Sequence, residues 1–232
     1  MLKVLHPITN ELIDYKQFKE YSLQSGYQKI NDAPSPKCPV CHNDMNARAG
    51  QTKDDGHFAH EHNVNCPTKQ PSTRPYLGLN PTPPNHQIIL ENKQFLENNI
   101  EAIYTKISEL APYLDFLEFI EMIKEARRLN IYNYANLQPQ YLPYVLVTLI
   151  NFLPTKSFKK RRNLKFMFFF ENHIQNFADL WIHNGINSKF YRISYKGSAT
   201  NKLTEIELTD TYLAEPVKNL SERQIAWCLR EI

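Results

Sequence analysis

The side chains with the clearest potential for chemistry are cysteines and histidines concentrated in one short stretch of the N-terminal part. Between residues 38 and 66 lie three of the chain's four cysteines and four of its eight histidines. The five candidate metal ligands are Cys38, Cys41, His57, His60 and Cys66. The first two form a Cys-x-x-Cys pair, whose thiolates can meet one tetrahedral ion at a tight turn. The two histidines repeat that spacing, so the pattern predicts one structural Zn²⁺ site.

Five candidates compete for the four positions of a tetrahedral site, and two closed sets are compatible with the spacing. One set consists of Cys38, Cys41, His57 and His60, and the other consists of Cys38, Cys41, His60 and Cys66. His60 belongs to both sets. Because either set fills all four positions, no position is left for a substrate, and we expect the ion to be structural rather than catalytic.

A second interpretation treats Cys38 and Cys41 as reduced or redox-active thiols beside exposed histidines. Disulfide frameworks are typical of small secreted chains, and the N-terminus lacks the apolar segment of a secretory signal. The longest apolar stretch, residues 141–153, contains Pro143 and is shorter than the roughly 20 apolar residues that cross a bilayer. We therefore expect a cytoplasmic protein without a membrane partner.

The order of sequence patterns predicts an α+β fold in four segments. Residues 1–70 are expected to form a zinc ribbon, in which residues 1–37 supply a short β element followed by loop. Residues 71–85 form a proline-rich connection, because prolines at this density exclude helices and central strands. Residues 86–155 are expected to be helical, and residues 156–232 to form an antiparallel β meander with a C-terminal helix.

Periodicity also predicts the boundaries of the individual elements. Apolar residues at three- and four-residue spacing predict helices over residues 86–110, about 112–128 and 139–152. Short β-type runs follow at residues 164–170, 178–183, 190–196 and 203–209. Ser221 and Gln224 fit a capping box that begins the final helix, on which we expect Trp227 and Cys228 to be packing residues.

A dense run of positive charge lies at the start of the predicted meander. Its members are Lys156, Lys159, Lys160, Arg161, Arg162 and Lys165. Such a run can contact phosphate in a salt-sensitive and sequence-independent way, which predicts a nucleic-acid partner. The alternative is a solvated loop between a helix and a strand. The net charge of +3 does not decide between them, because a local patch rather than the global charge attracts phosphate.

The string Cys38-Pro39-Val40-Cys41 followed by His57-Phe58-Ala59-His60 resembles the N-terminal region of the competence protein CoiA-like family. The resemblance covers roughly residues 1–70. In that family an HFAH string closes a zinc ribbon and a nuclease-like domain follows. The resemblance therefore implies a zinc ribbon and a role in DNA handling.

The C-terminal half departs from the nuclease pattern of that family. Such a centre needs carboxylates on neighbouring strands that bind Mg²⁺. The candidates in or beside the predicted strands are Glu171, Asp179, Glu205 and Glu207. Glu205-Ile206-Glu207 lacks the lysine of the family pattern, and Asp179 is followed by Leu180 and Trp181. The sequence therefore favours a solvated acidic face over a nuclease centre.

Three functions remain compatible with these patterns. The first is a non-catalytic nucleic-acid-binding accessory factor in DNA uptake (competence), antiviral defence or repair. The second is a protein–protein interaction adaptor that docks on a partner through its zinc ribbon and helices. The third is a divergent metal-dependent nuclease, in which Asp179 or Glu205 would be essential for Mg²⁺-dependent cleavage.

Overall fold

The computed structural model of the chain combines six α-helices with three antiparallel sheets in the part that it describes. It describes residues 1–51, 55–61, 64, 66–69, 84–133, 137–154, 162–170, 189–196 and 199–232. In chain order the elements are β1 (Lys3–Leu5), β2 (Leu12–Asp14), α1 (Tyr15–Gln24), β3 (Met45–Arg48), β4 (His57–His60), α2 (His86–Asn98), α3 (Ile100–Leu110), α4 (Phe116–Arg128), α5 (Leu142–Leu146), β5 (Lys165–Phe170), β6 (Phe190–Lys196), β7 (Ala199–Ile206) and α6 (Glu222–Glu231). The predicted α+β class is confirmed, as is the meander that precedes the final helix.

The N-terminal part contains a helix where a loop was predicted. β1 pairs with β2, and α1 follows β2 directly. The carboxylate of Asp14 accepts a hydrogen bond from the backbone N–H of Gln17, whose side chain accepts one from the backbone N–H of Asp14. This capping box satisfies two backbone donors at the start of α1. The buried face of α1 consists of Tyr15, Phe18 and Ser22. Because this face contains only two aromatic residues and one serine, apolar periodicity did not predict the helix.

The middle segment is helical as predicted, but its helices begin and end elsewhere. The helix expected over residues 86–110 is divided at Asn99, whose φ of −122° and ψ of 23° lie outside the helical region. The next helix begins only after Asp115, since Asp115 and Glu118 form a capping box. The helix expected over residues 139–152 is a 3₁₀ turn followed by the short α5, because the backbone of Phe152 pairs with β5 instead.

The C-terminal sheet has the order β5-β6-β7 with both pairs antiparallel. The predicted strands at 164–170 and 190–196 are confirmed within one residue. The last predicted strand, at 203–209, corresponds to β7, which covers residues 199–206. The strand predicted at 178–183 and most of the proline-rich connection lie outside the described residues.

Both faces of this sheet are buried, and each covers a different part of the chain. One face packs on the N-terminal part and contains Met167, Phe169, Tyr191, Ile193, Tyr195 and Leu203. The opposite face packs on the helices and contains Phe166, Phe168, Phe170 and Phe190. The two sets of side chains lie on different faces because successive side chains leave a strand on opposite sides. The sheet is therefore the layer against which the cysteine-rich region folds.

The final helix, α6, packs on the helical side of the sheet. α6 begins at Ser221 through the predicted capping box with Gln224. It packs against α4, where Lys124 lies 3.5 Å from Glu231, and Cys228 is fully buried in the core as predicted. None of the helices described is long and apolar enough to cross a membrane.

Candidate metal centre

Cys38 and Cys41 are presented by a tight turn that its own backbone stabilises. The backbone N–H of His42 donates to the carbonyl of Cys38, and the N–H of Cys38 donates to the carbonyl of Asn43, both at 2.9 Å. The N–H of Val40 points to the sulfur of Cys38 at 3.4 Å. His42 completes the turn with a φ of +55°, a left-handed conformation that glycine adopts more readily than histidine. These bonds direct both thiols to the same side.

His60 reaches the cysteines from the hairpin formed by β3 and β4. In this pair Met45 lies opposite His60 and Arg48 lies opposite His57. Side chains alternate between the two faces of a strand, so two histidines three residues apart leave β4 on opposite faces. Phe58 and His60 share the inner face, whereas His57 is exposed. The structure therefore places His60, and not His57, beside the cysteines, because residues 57–60 form a strand rather than a turn.

Cys66 enters the cluster just before a 3₁₀ turn at residues 67–69. The N–H of Lys69 donates to the carbonyl of Cys66 at 3.0 Å, and the hydroxyl of Thr68 lies 3.1 Å from the sulfur of Cys66. The ammonium of Lys69 donates to the carbonyls of Glu61 and Val64, which ties this turn to the end of β4. Thr68 was not predicted as part of the site. Its position two residues after Cys66 could have indicated that its hydroxyl lies near the sulfur of that cysteine.

The four side chains converge as a group that can hold a metal ion. The group consists of Cys38, Cys41, His60 and Cys66, with all ligand atoms within 4.8 Å of one another. The sulfurs of Cys38 and Cys66 are 3.9 Å apart, and the sulfur of Cys41 is 3.3 Å from Nε2 of His60. The three cysteines are at most 5% exposed. Of the two sets that the sequence left open, the geometry selects the one with three cysteines.

Hydrogen bonding within the cluster shifts the pKa values of its members in opposite directions. Bonds to Cys41 and Cys66, together with burial, raise the pKa of Cys38 well above its usual value. The bonds that Cys41 accepts from Cys38 and Cys66 lower the pKa of its own thiol. Burial acts to lower the pKa of His60, but hydrogen bonds to Cys41 and Cys66 outweigh it and raise that pKa to about 9. At Cys41 the cluster thus favours the thiolate, which is the form of cysteine that binds a metal.

The C-terminal sheet lies against the cluster. The three clustered cysteines belong to the same apolar core as the inner face of β5, β6 and β7. Burial raises the pKa of Tyr195 on β6, and the nearby sulfurs of Cys66 and Cys38 raise it further. Among the described residues the hydroxyl of Tyr195 has no hydrogen-bond partner. A residue 129 positions beyond Cys66 in the numbering therefore helps to enclose the cluster, which no local pattern could predict.

The predicted basic run is only partly within the described residues. Lys156, Lys159, Lys160 and Arg161 lie outside them, and Lys165 is half-buried on β5, where burial lowers its pKa. Arg162 is 5% exposed and donates to both carboxylate oxygens of Glu118 and to the carbonyl of Leu153. Its guanidinium also lies over the ring of Phe166. These contacts enclose Arg162 within the fold, which removes it from the predicted phosphate-binding set.

The acidic residues considered for a nuclease centre do not form a cluster in the described part of the chain. Glu205 and Glu207 are exposed, whereas Glu171 and Asp179 lie outside that part. Within the described residues, one group of three or more potential metal-binding side chains is present, and it contains no carboxylate.

No protein-family model matches the chain, and neither a curated protein nor a solved structure shows significant similarity to it. The resemblance to the CoiA-like family over residues 1–70 therefore stays a prediction from the sequence. The geometry of the cysteine and histidine cluster is the firmest basis for inferring a function.

Proposed function

We propose that this chain is a nucleic-acid-binding protein whose N-terminal part is held together by one structural Zn²⁺ ion. The observation that carries the zinc assignment is the convergence of three thiol sulfurs and one imidazole nitrogen within 4.8 Å. The ligands are Cys38, Cys41, His60 and Cys66.

The chemistry of the four donors supports zinc over other divalent ions. Thiolates with one imidazole form one of the usual tetrahedral ligand sets of structural zinc. Mg²⁺ and Ca²⁺ prefer oxygen ligands, and the cluster supplies no carboxylate. Four protein ligands would complete the coordination sphere, and the three cysteines among them are buried. The site therefore favours a structural over a catalytic role.

Zinc in this position would join three segments of the N-terminal part at one point. Its ligands come from the turn at Cys38 and Cys41, from β4, and from the turn that follows Cys66. Structural zinc sites contribute on the order of 10–16 kcal/mol of apparent binding free energy, which acts as folding free energy. Loss of the ion is thus expected to destabilise the N-terminal part.

The nucleic-acid part of the proposal is supported by the sequence. Lys156, Lys159, Lys160 and Arg161 form a cationic run that suits sequence-independent contact with phosphates. The resemblance to the CoiA-like family supports a DNA-handling context, so we propose an accessory factor in DNA uptake, antiviral defence or repair. The enclosed Arg162 has no part in this contact.

The test is a salt-dependent binding titration with a variant that neutralises the basic run. The variant replaces Lys159, Lys160 and Arg161 with Gln, and a matched control makes the same charge change at the exposed Lys3, Lys16 and Lys29. Binding of a labelled DNA duplex is measured by fluorescence anisotropy at about 50 and about 200 mM salt. We expect weaker binding and a shallower salt dependence, by about 0.9 in the logarithmic slope for each phosphate that the variant no longer neutralises.

Two outcomes would count against the proposal. Unchanged affinity of the neutralised variant at low salt, or an equal decrease in the control, removes the basic run from the function. If the wild-type protein bound neither DNA nor RNA at low salt, the nucleic-acid assignment itself would be wrong.

A further inference from the structure

A groove of about 930 Å³ lies where α6 meets the start of α4. Its lining is mostly apolar and includes Phe116, Trp227 and Leu229, with the guanidinium-bearing residues Arg223 and Arg230 at the same surface. Leu229 is 43% exposed, although it is a large apolar residue. In the described part of the chain no acidic side chain lines this groove. The surface is therefore both apolar and cationic.

The order of residues on α6 places an aromatic ring between two positive charges. Arg223, Trp227 and Arg230 follow the i, i+4, i+7 spacing, which puts them on one face of the helix. At 1.5 Å per residue the two arginines lie about 10 Å apart along the helix axis, with the indole between them. Both are exposed, and neither forms an ion pair with any residue that the structure describes.

The indole of Trp227 is held in place by its neighbours. Its Nε1–H donates to the carboxylate of Glu231 at 3.3 Å, and the ring of Phe116 meets it edge-on at a centroid distance of 6.0 Å. The charge of Glu231 is offset by Lys124, whose ammonium lies 3.5 Å away. An aromatic ring fixed in this way loses little conformational entropy when a ligand stacks on it.

We propose that this groove binds a short single-stranded segment of nucleic acid. One base stacks on Trp227, and Arg223 and Arg230 contact backbone phosphates on either side of that base. Base–aromatic stacking combined with cationic side chains is a general means of holding single strands without sequence preference. The proposal rests on the proposed nucleic-acid-binding function and specifies the class of nucleic acid, because bases inside a duplex are stacked on each other and inaccessible to an indole.

An acidic peptide is the competing occupant, since two arginines beside an apolar groove attract carboxylates too. The arrangement favours nucleic acid because the flat ring lies between the charges, matching a base between two phosphates. Trp227 was predicted to be a packing residue, and it does pack against the core, but as a half-buried residue it also lines the groove. In the sequence, the spacing of Arg223 and Arg230 around Trp227 is the pattern that indicates this groove.

The test uses the full chain, labelled oligothymidine and a labelled duplex of equal length. Trp227→Leu keeps an apolar side chain but removes the stacking surface, and we expect oligothymidine affinity to fall roughly tenfold or more. Trp227→Tyr keeps an aromatic ring and is expected to retain most of the affinity. The pair Arg223→Gln and Arg230→Gln should reduce the logarithmic salt slope by about 1.4, since each single-strand phosphate contact contributes about 0.7. Thermal unfolding of each variant verifies that it is folded.

Matched controls separate this proposal from the function on which it rests. Lys16→Gln with Lys29→Gln makes the same charge change far along the chain and should leave oligothymidine affinity unchanged. If the groove variants bound oligothymidine as tightly as the wild type while neutralisation of Lys159 to Arg161 weakened binding, the groove proposal would be overturned and the proposed function would stand. If the wild type bound neither oligothymidine nor the duplex, the groove proposal and the proposed function would both be contradicted. Competition by poly-L-glutamate as effective as that by unlabelled oligothymidine would assign the groove to an acidic protein partner and overturn the proposal.

Discussion

The sulfur of Cys41 lies 3.3 Å from Nε2 of His60, although 19 positions separate the two residues. This contact fixes the β3–β4 hairpin against the Cys-x-x-Cys turn. Cys66 approaches from a third segment to 3.9 Å from Cys38, so the cluster joins parts of the chain that are distant in sequence. An ion bound at this point would couple the folding of all three segments.

The choice between the two ligand sets can be tested with a pair of variants. Cys66→Ser removes a buried ligand, so we expect stoichiometric zinc to be lost and the melting temperature to fall, because the remaining three ligands cannot close the site. His57→Ala changes an exposed residue on the outer face of β4 and should retain both the zinc and the melting temperature. Metal analysis and thermal unfolding measure the two effects. The reverse pattern would restore the set that contains His57.

The turn after Cys41 contains a conformational cost that one substitution should relieve. His42 has a φ of +55°, which costs an L-residue roughly 1–2 kcal/mol and glycine much less. We expect His42→Gly to raise the free energy of unfolding by about 0.5–1 kcal/mol, after allowance for the histidine side chain's own interactions and for the greater freedom of glycine when unfolded. Thermal unfolding should show a rise of about 1–4 °C. His42→Ala, which keeps the strained conformation, is the control, and a stabilisation equal to that of glycine would show that strain is not the cause.

The buried ion pair of Arg162 and Glu118 should contribute far more to stability than an exposed pair. Glu118→Gln retains a capping side chain for α4 but leaves the guanidinium of Arg162 without its counter-charge, and we expect a destabilisation of about 2–4 kcal/mol. Glu125→Gln disrupts the pair with the exposed Arg128 and is expected to cost at most about 1 kcal/mol. Urea unfolding measures both. Equal destabilisation in the two variants would mean that Arg162 is not an internal structural residue.

Tyr132 should make stability fall at alkaline pH. Burial raises the pKa of its hydroxyl, which has no hydrogen-bond partner among the described residues. The unfolded state ionises near pH 10 while the folded state keeps the proton, so the free energy of unfolding falls above that pH by about 1.4 kcal/mol per pH unit. Tyr132→Phe should remove this contribution. Urea unfolding between about pH 8 and 11 measures the slope, and Tyr113→Phe, at an exposed tyrosine, is the control. An unchanged slope in Tyr132→Phe would contradict the account.

Local signals in the sequence predicted much of the fold. The capping box of Ser221 and the alternation along β6 involve residues a few positions apart, and both elements were predicted correctly. The break at Asn99 was not predicted, and neither was the short α5, which depends on pairing with a distant residue. Phe152 leaves the predicted helix to pair with Phe166, a contact that periodicity within residues 139–152 does not contain.

The site was predicted to the extent that its residues are local. Cys38, Cys41 and His60 followed from spacing, whereas the choice between His57 and Cys66 depended on residues 57–60 being a strand. The enclosure of Arg162 depended on Glu118, which lies 44 positions away in the sequence. Charge density alone identified Arg162 as a phosphate contact, since a sequence does not show which cation will be buried with a carboxylate.

X-ray absorption at the zinc edge of the purified protein tests the central claim most directly. The account predicts one zinc ion per chain with three sulfurs at about 2.3 Å and one imidazole nitrogen at about 2.0–2.1 Å, from Cys38, Cys41, Cys66 and His60. A first shell of two sulfurs and two nitrogens, or protein that folds without stoichiometric zinc, would contradict it.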